Sequence, residues 1–187
     1  MNDLMIDLET LSTAPDAYIL SIGACYFDLE TGQIGENLHV KTSFNDTLSH
    51  TGHISAATVE WWLKQLKPTQ ESLLSGNRFI LANVIYQITS FIRLYKPKTI
   101  WSNGASFDLV ILRSAFNSNN YNIPWQYWQE RDTRTIVDIA ERLTGINAKK
   151  TTPFNGTQHD ALADAMHQAQ YVSHAYQLIK NYTSTTL

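Results

Sequence analysis

Asp7 and Glu9 are the first residues in this chain whose types and spacing could do chemistry. They lie in Leu4-Met5-Ile6-Asp7-Leu8-Glu9-Thr10, where apolar Leu4, Ile6 and Leu8 alternate with Met5, Asp7 and Glu9. Such alternation marks a strand, and residues two apart in a strand share a face. Two carboxylates side by side on one face repel unless a cation neutralises them. The chemistry on offer is divalent-metal binding. The plainer alternative is two acids on a solvated strand face.

Two further acidic elements lie far downstream. Asp108 follows a short strand, Thr99-Ile100-Trp101-Ser102, then the turn Asn103-Gly104 and Phe107. That order places it at the start of a helix beside the end of a sheet, where ligand sites of α/β folds gather; an acid in a first helical turn also simply suits the helix dipole. The segment His159-Asp160-Ala161-Leu162-Ala163-Asp164-Ala165 opens the last helical stretch. Asp160 and Asp164 are four apart and share a helix face, with His159 just ahead of them. Spacing alone does not choose between the two acids as a ligand.

The elements that must position these residues are legible in outline. Tyr18 to Phe27 reads as a buried strand, Asp28 to Gly32 as a hairpin connection, and Gln33 to Ser43 as a third strand. Ser55 caps a helix over Ala56 to Leu66 that Pro68 ends. Trp61 and Trp62 on that helix diverge by about 100°, so one is buried and the other half-exposed. A helix over Phe79 to Tyr95 carries an apolar stripe of Leu81, Val84, Ile85, Ile88, Phe91 and Ile92, and Pro97 stops it. Helices are also expected over Phe107 to Phe116, over Asp132 to Leu143 before Gly145, and from near Asp160 to Lys180. Lys149 to Gly156 reads as a loop. A meander followed by alternating helices and strands predicts one α/β domain with a mixed sheet over residues 1–181, then a polar tail over 182–187.

Composition narrows the function classes. With 187 residues, 43% hydrophobic and 17% charged, the chain is an ordinary globular one rather than disordered. Cys25 is the only cysteine, set among Ile22, Ala24, Tyr26 and Phe27, and reads as a buried inert thiol. No apolar stretch is long enough to span a bilayer, and no leader pattern opens the chain; the expectation is a cytoplasmic protein with no membrane partner. A net charge of -3 argues against coating long duplexes, which calls for a broad basic face. It is compatible with gripping one strand end in a pocket where bound metal supplies positive charge.

Taken together, the motifs M-I-D-L-E-T-L, N-G-A-S-F-D-L and H-D-A-L-A-D-A resemble, in that order, those of the DEDDh branch of the DnaQ-like 3′→5′ exonucleases, which have the RNase H-like fold. The resemblance spans residue 4 to about 180. T-V-E-W-W-L, E-R-D-T-R-T and K-K-T-T-P-F resemble the phage and prophage exodeoxyribonuclease VIII-like proteins and their exoribonuclease relatives. One departure stands out: many members carry His-Asn where this chain has Asn103-Gly104.

The resemblance implies two Mg²⁺ or Mn²⁺ ions, roughly 3.5–4 Å apart in such sites. Asp7, Glu9, Asp108 and Asp164 would be the metal ligands and His159 the general base. The family places its last acid five residues after the histidine, which selects Asp164 and leaves Asp160 to cap its helix. Thr10, Leu11, Asn103 and Phe107 would contact the 3′-terminal nucleotide, and Trp61 or Trp62 would stack a base. Arg134, with Arg131, Lys149 and Lys150, would contact phosphates. The leading expectation is hydrolysis of single-stranded DNA from its 3′ end with release of nucleoside 5′-monophosphates. The alternatives are an exoribonuclease, a catalytically silent nucleic-acid-binding module, and an endonuclease of similar architecture. Resemblance to dimeric relatives, with five Trp and nine Tyr available for an interface, adds a homodimer to the expectations.

Overall fold

The computed structural model describes residues 1–45 and 52–186. β1 (Asp3–Thr10), β2 (Ile19–Phe27) and β3 (Ile34–Thr42) form the expected antiparallel meander. β4 (Arg78–Phe79) adds parallel to β3, β5 (Thr99–Ser102) parallel to β1, and β6 (Glu130–Asp132) parallel to β5. The strand order is β4-β3-β2-β1-β5-β6, so β1 and its carboxylates lie inside the sheet. The helices are α1 (Ala56–Leu63), α2 (Lys67–Leu74), α3 (Leu81–Tyr95), α4 (Asp108–Ser118), α5 (Thr133–Thr144), α6 (Ala148–Thr151) and α7 (Ala161–Thr186).

The alternation in β1 sorts its side chains between two layers. Leu4, Ile6 and Leu8 join Leu81, Val84, Ile85, Ile88 and Ile92 of α3 and Leu109, Leu112 and Phe116 of α4 in one core. Met5, on the opposite face, packs with Cys25, Phe27, Val137 and Ala140, and with Ala165, Ala169 and Val172 of α7. Each fully buried Leu, Ile or Val contributes about 1.5–3 kcal/mol of transfer free energy, so both faces of β1 and β2 are strongly held. Asp7 and Glu9 belong to the face beneath α7. Cys25 is fully buried there, and burial pushes its thiol up to about 12.

Gly23 lets α7 come close enough to matter. It pairs with Asp7 across β1 and β2. A β-carbon at Gly23 would lie 2.1 Å from the Ala161 carbonyl carbon at the start of α7. The missing side chain thus lets the N-terminal turn of α7 rest on the sheet beside Asp7.

Several element boundaries differ from expectation. α1 ends at Leu63, and Pro68 opens α2 rather than merely ending α1, because proline suits the first turn of a helix, where the N–H it lacks would have no intrahelical partner. Ser55 stands at the start of α1 without a side-chain capping bond. Lys149 to Thr151, read as loop, belong to α6, capped by Asn147 Oδ1 accepting from the Lys150 N–H at 3.1 Å. β4 and β6 are two and three residues long, too short to show a period in the sequence. Residues 182–186, expected as a polar tail, continue α7; Leu187 lies outside the described residues. α5 starts as expected, with Asp132 Oδ1 accepting from the Arg134 N–H at 2.8 Å and Gly145 ending it in the left-handed region. Among the described residues no helix is long and apolar enough to cross a membrane.

Candidate active site

Four acids from three separate segments meet at the C-terminal end of β1. β1 supplies Asp7 and Glu9, the first turn of α4 supplies Asp108, and α7 supplies Asp164. They line a cleft of about 330 Å³ with Asn103, Phe107, Arg134, Lys149, His159, His167, Gln168 and Tyr171. Glu9, His159 and Asp164 each offer a ligand atom within 4.8 Å of the others'.

Hydrogen bonds fix these carboxylates individually. Gln168 Nε2 donates to Asp7 Oδ1 at 2.6 Å, the Leu8 N–H to Asp108 Oδ1 at 3.1 Å, and the His159 N–H to Asp164 Oδ2 at 2.9 Å. Each of the three therefore has an oxygen tied, and Asp108 is held by its own N–H as well. Among the described residues, Glu9's carboxylate accepts no hydrogen bond although only 8% of the residue is exposed. Outer partners that hold one ligand oxygen while leaving another open are what a metal site needs.

Electrostatics point the same way. Burial, then the charges of Asp108, Glu9 and Asp164, hold Asp7 well above the usual carboxylate range, and the Gln168 bond offsets only part of this. Burial with Asp164, Asp108 and Asp160 does the same to Glu9. Burial raises Asp108 to about 7 against the opposing Leu8 bond and Arg134 charge, and burial also raises Asp164. Without a cation, ionising this set at neutral pH is unfavourable. Hard oxygen donors of this number suit Mg²⁺ or Mn²⁺, and the residues present fit such ions.

This has a consequence for stability. A carboxylate whose folded value is raised stabilises the fold below its unfolded value near 4, and that contribution is lost as pH rises through the folded value. Metal-free protein should therefore lose on the order of a few kcal/mol of stability between about pH 4 and pH 8, with Asp108 titrating at about 7 in the middle of that window. Mg²⁺ should restore the loss. Thermal melts across this range in EDTA check it; a melting temperature that rises with pH there would contradict the electrostatic account. Asp160, held below its usual range by its bond from Ser72 against its burial, acts at lower pH. His39, held below its usual range by burial, opposes the trend below about pH 6.5, so the loss is read most directly between about pH 6.5 and 8.

A second cleft of about 470 Å³ shares Leu8, Glu9 and Phe107 with the first and continues over Thr10, Ser12, Thr13, Ser55, Trp61 and Trp62. Trp62 is 5% exposed, its Nε1 donating to the Thr10 carbonyl at 2.9 Å, whereas Trp61 is 42% exposed. The Trp61 ring stands edge-on to His159 with centroids 4.8 Å apart. Trp62→Ala should lower stability by about 3–5 kcal/mol, as loss of a buried aromatic does. Trp61→Ala should leave the melting temperature near wild type and weaken single-strand binding by about 1–3 kcal/mol if the ring stacks a base. Melting curves beside fluorescence-anisotropy titrations separate the two; equal destabilisation with unaltered affinity would make both core residues.

The other sequence-derived residues divide. Asn103, Phe107 and Arg134 line the first cleft, and the Arg134 guanidinium lies 3.0 Å from where a Gly104 β-carbon would sit. Lys149 lines it as well, but Arg131 binds the Trp128 and Glu130 carbonyls and Lys150 is exposed on α6. Leu11, expected at the nucleotide, lines neither of these two clefts. Its N–H bonds the Tyr18 carbonyl as β1 ends, and its side chain packs with Tyr18, Leu20 and Trp62. Gln168 and Tyr171 escaped the sequence reading. With Asp164 they recur at spacings of four and three along α7, so a helical wheel centred on Asp164 would have exposed them.

The sheet order and the helices on both faces give an RNase H-like α/β fold, and solved structures share it. CRN-4, a cell-death related nuclease, superposes with a TM-score of 0.68 at 14% identity over 94% of this chain and 64% of its own. The nuclease domain of 3′hExo, a DEDDh family member bound to rAMP, gives 0.58 at 13% identity over 94% and 91%. E. coli exonuclease I with a dA16 oligonucleotide gives 0.68 at 22% identity over 98% and 42%, so this chain spans less than half of that protein. No curated protein sequence matches the chain. Residues 2–176 match the model of the Rv2179c-like 3′-5′ exoribonuclease domain, and the chain belongs to that family. The match names the exoribonuclease relatives and lends no support to the exodeoxyribonuclease VIII-like link.

Proposed function

We propose that this protein is a metal-dependent 3′→5′ exonuclease acting on single-stranded nucleic acid ends. The observation that carries the reading is the convergence of Asp7, Glu9, Asp108, Asp164 and His159 on one cleft, with all four carboxylates held above their usual range. Asp7, Glu9, Asp108 and Asp164 would hold two Mg²⁺ or Mn²⁺ ions, which supply Lewis-acid stabilisation of the phosphodiester undergoing attack. Trp61, Thr10 and Phe107 seat the terminal nucleoside in the second cleft. Arg134 and Lys149, which line the first cleft, contact the strand's phosphates. His159 takes a proton from the attacking water at its imidazole. The water oxygen bonds to phosphorus, the bond to the penultimate nucleotide's 3′ oxygen breaks, that oxygen takes up a proton as the new 3′-hydroxyl, and a nucleoside 5′-monophosphate leaves.

DNA is the leading expectation from the resemblance, and no residue is assigned to reading the 2′-hydroxyl. The family description favours RNA, and RNA is the second reading. The expected homodimer stays within the proposal, supported by exposed Tyr86, Tyr127 and Trp128. The test is incubation of 5′-labelled single-stranded DNA and RNA with Mg²⁺, Mn²⁺ or EDTA. A ladder shortening by single nucleotides from the 3′ end is expected with either metal. The substrate that is consumed faster decides between DNA and RNA. Cuts in a circular strand, loss from the 5′ end, or full activity in excess EDTA would refute the assignment.

A further inference from the structure

His159 is not held by a regular element of its own. It stands just before α7 with a backbone φ of 61°, in the left-handed region that non-glycine residues rarely occupy. Such a conformation persists only where the surroundings over-determine it. The His159 N–H to Asp164 is one restraint. Others come from α1, whose Trp61 and Trp62 rings stand edge-on to the imidazole, and from α2, roughly ninety residues away in sequence.

α2 brackets the histidine on both sides. Buried Thr69 donates its Oγ1 to the Gln158 carbonyl at 3.1 Å, one residue before His159. Ser72 donates its Oγ to Asp160 Oδ2 at 2.6 Å, one residue after. Asp160 Oδ1 accepts from the Ala163 N–H at 3.2 Å, which ties the same acid to the first turn of α7. Thr69 and Ser72 are three apart, so both hydroxyls leave one face of α2.

α2 is itself anchored. Lys41 Nζ of β3 donates to the Ser72 and Ser75 carbonyls, and Arg78 donates to the Leu73 and Thr42 carbonyls. Cations at the carbonyl end of a helix are favourable partners. Leu73 packs with Tyr18, Leu20 and Trp62, the cluster beneath the second cleft. Neither Thr69 nor Ser72 lines either cleft.

We propose that α2 is a strut that sets the pose of His159, with Thr69 and Ser72 as positioning residues for its proton transfer. The proposal rests on His159 acting as the general base. A base must stand within about 2.6–3.2 Å of its proton, and a displacement of about 1 Å can cost on the order of 10²-fold in rate. The strut would act on the rate of the chemical step and not on substrate affinity.

The test uses Thr69→Val, Ser72→Ala and their combination, each also in a His159→Ala background, with Thr69→Ser and Ser72→Thr as conservative controls. The combined variant should slow single-turnover cleavage by about 10–100-fold with KM and Mn²⁺ affinity changed less than about twofold. The hydroxyl-keeping variants should recover most of the rate. In the His159→Ala background the strut substitutions should cost nothing further, since residues acting through one group are non-additive. Amide exchange at His159 should accelerate at least about tenfold, whether or not the protein cleaves anything. Unchanged exchange overturns the strut, and an undiminished rate loss without His159 overturns its link to proton transfer. A folded wild-type protein that cleaves neither DNA nor RNA defeats the functional reading instead, and exchange still decides the strut. Should Ser72→Ala unfold, Thr69→Val alone carries the same comparison.

Discussion

Asp7→Asn should abolish cleavage, by on the order of 10³-fold or more, while the protein stays folded and, without metal, becomes more stable than wild type. Burial and three other carboxylates all oppose the charge of Asp7. Asparagine keeps the oxygen that accepts from Gln168 Nε2 and removes only the charge. The fold then loses a source of repulsion and the metal loses a ligand. Single-turnover kinetics beside metal-free melting curves at about pH 8, where the carboxylates are most strongly opposed, read both effects. Near-normal cleavage, or a lowered metal-free melting temperature, would show that Asp7 is a structural acid.

His159→Ala should reduce kcat by roughly 10²–10⁴-fold while metal affinity survives, the loss typical of a positioned general base. The geometry makes this a sharp choice, because His159 is also close enough to Glu9 and Asp164 to share a cation with them. Mg²⁺ strongly prefers oxygen, which favours the base over the ligand. Asp164→Asn is the control: it should weaken metal binding itself and also loosen the turn, since Asp164 accepts the His159 N–H. Calorimetric titration of Mn²⁺ into both variants distinguishes the roles. If His159→Ala loses metal affinity as severely as Asp164→Asn, the imidazole is a ligand and the proton goes elsewhere.

The sequence alone determined the elements whose signals are local. β1 was legible because apolar and acidic residues alternate over Leu4 to Glu9, and a strand turns that alternation directly into two faces. α5 was legible because a capping aspartate and a terminating glycine bound it, and α3 because its stripe recurs at helical spacing. The order of the acids and the histidine was enough to suggest the chemistry. Pro68 was ambiguous by nature, since proline both ends one helix and suits the start of the next. β4, β6 and α6 were too short to carry a period.

Only the tertiary structure decided what depends on residues far apart meeting. That Trp62 is buried and Trp61 half-open follows from how α1 lies against Thr10, and nothing in Trp-Trp says which turns inward. That Gln168 holds Asp7 depends on Gly23 admitting α7 to the sheet, a contact between segments more than a hundred residues apart. That Thr69 and Ser72 bracket His159 depends on α2, a helix the sequence did not announce, being pinned by Lys41 and Arg78. Local pattern fixes which face a residue takes within its element. The distances at which proton transfer and metal binding operate are fixed by how the elements pack on one another.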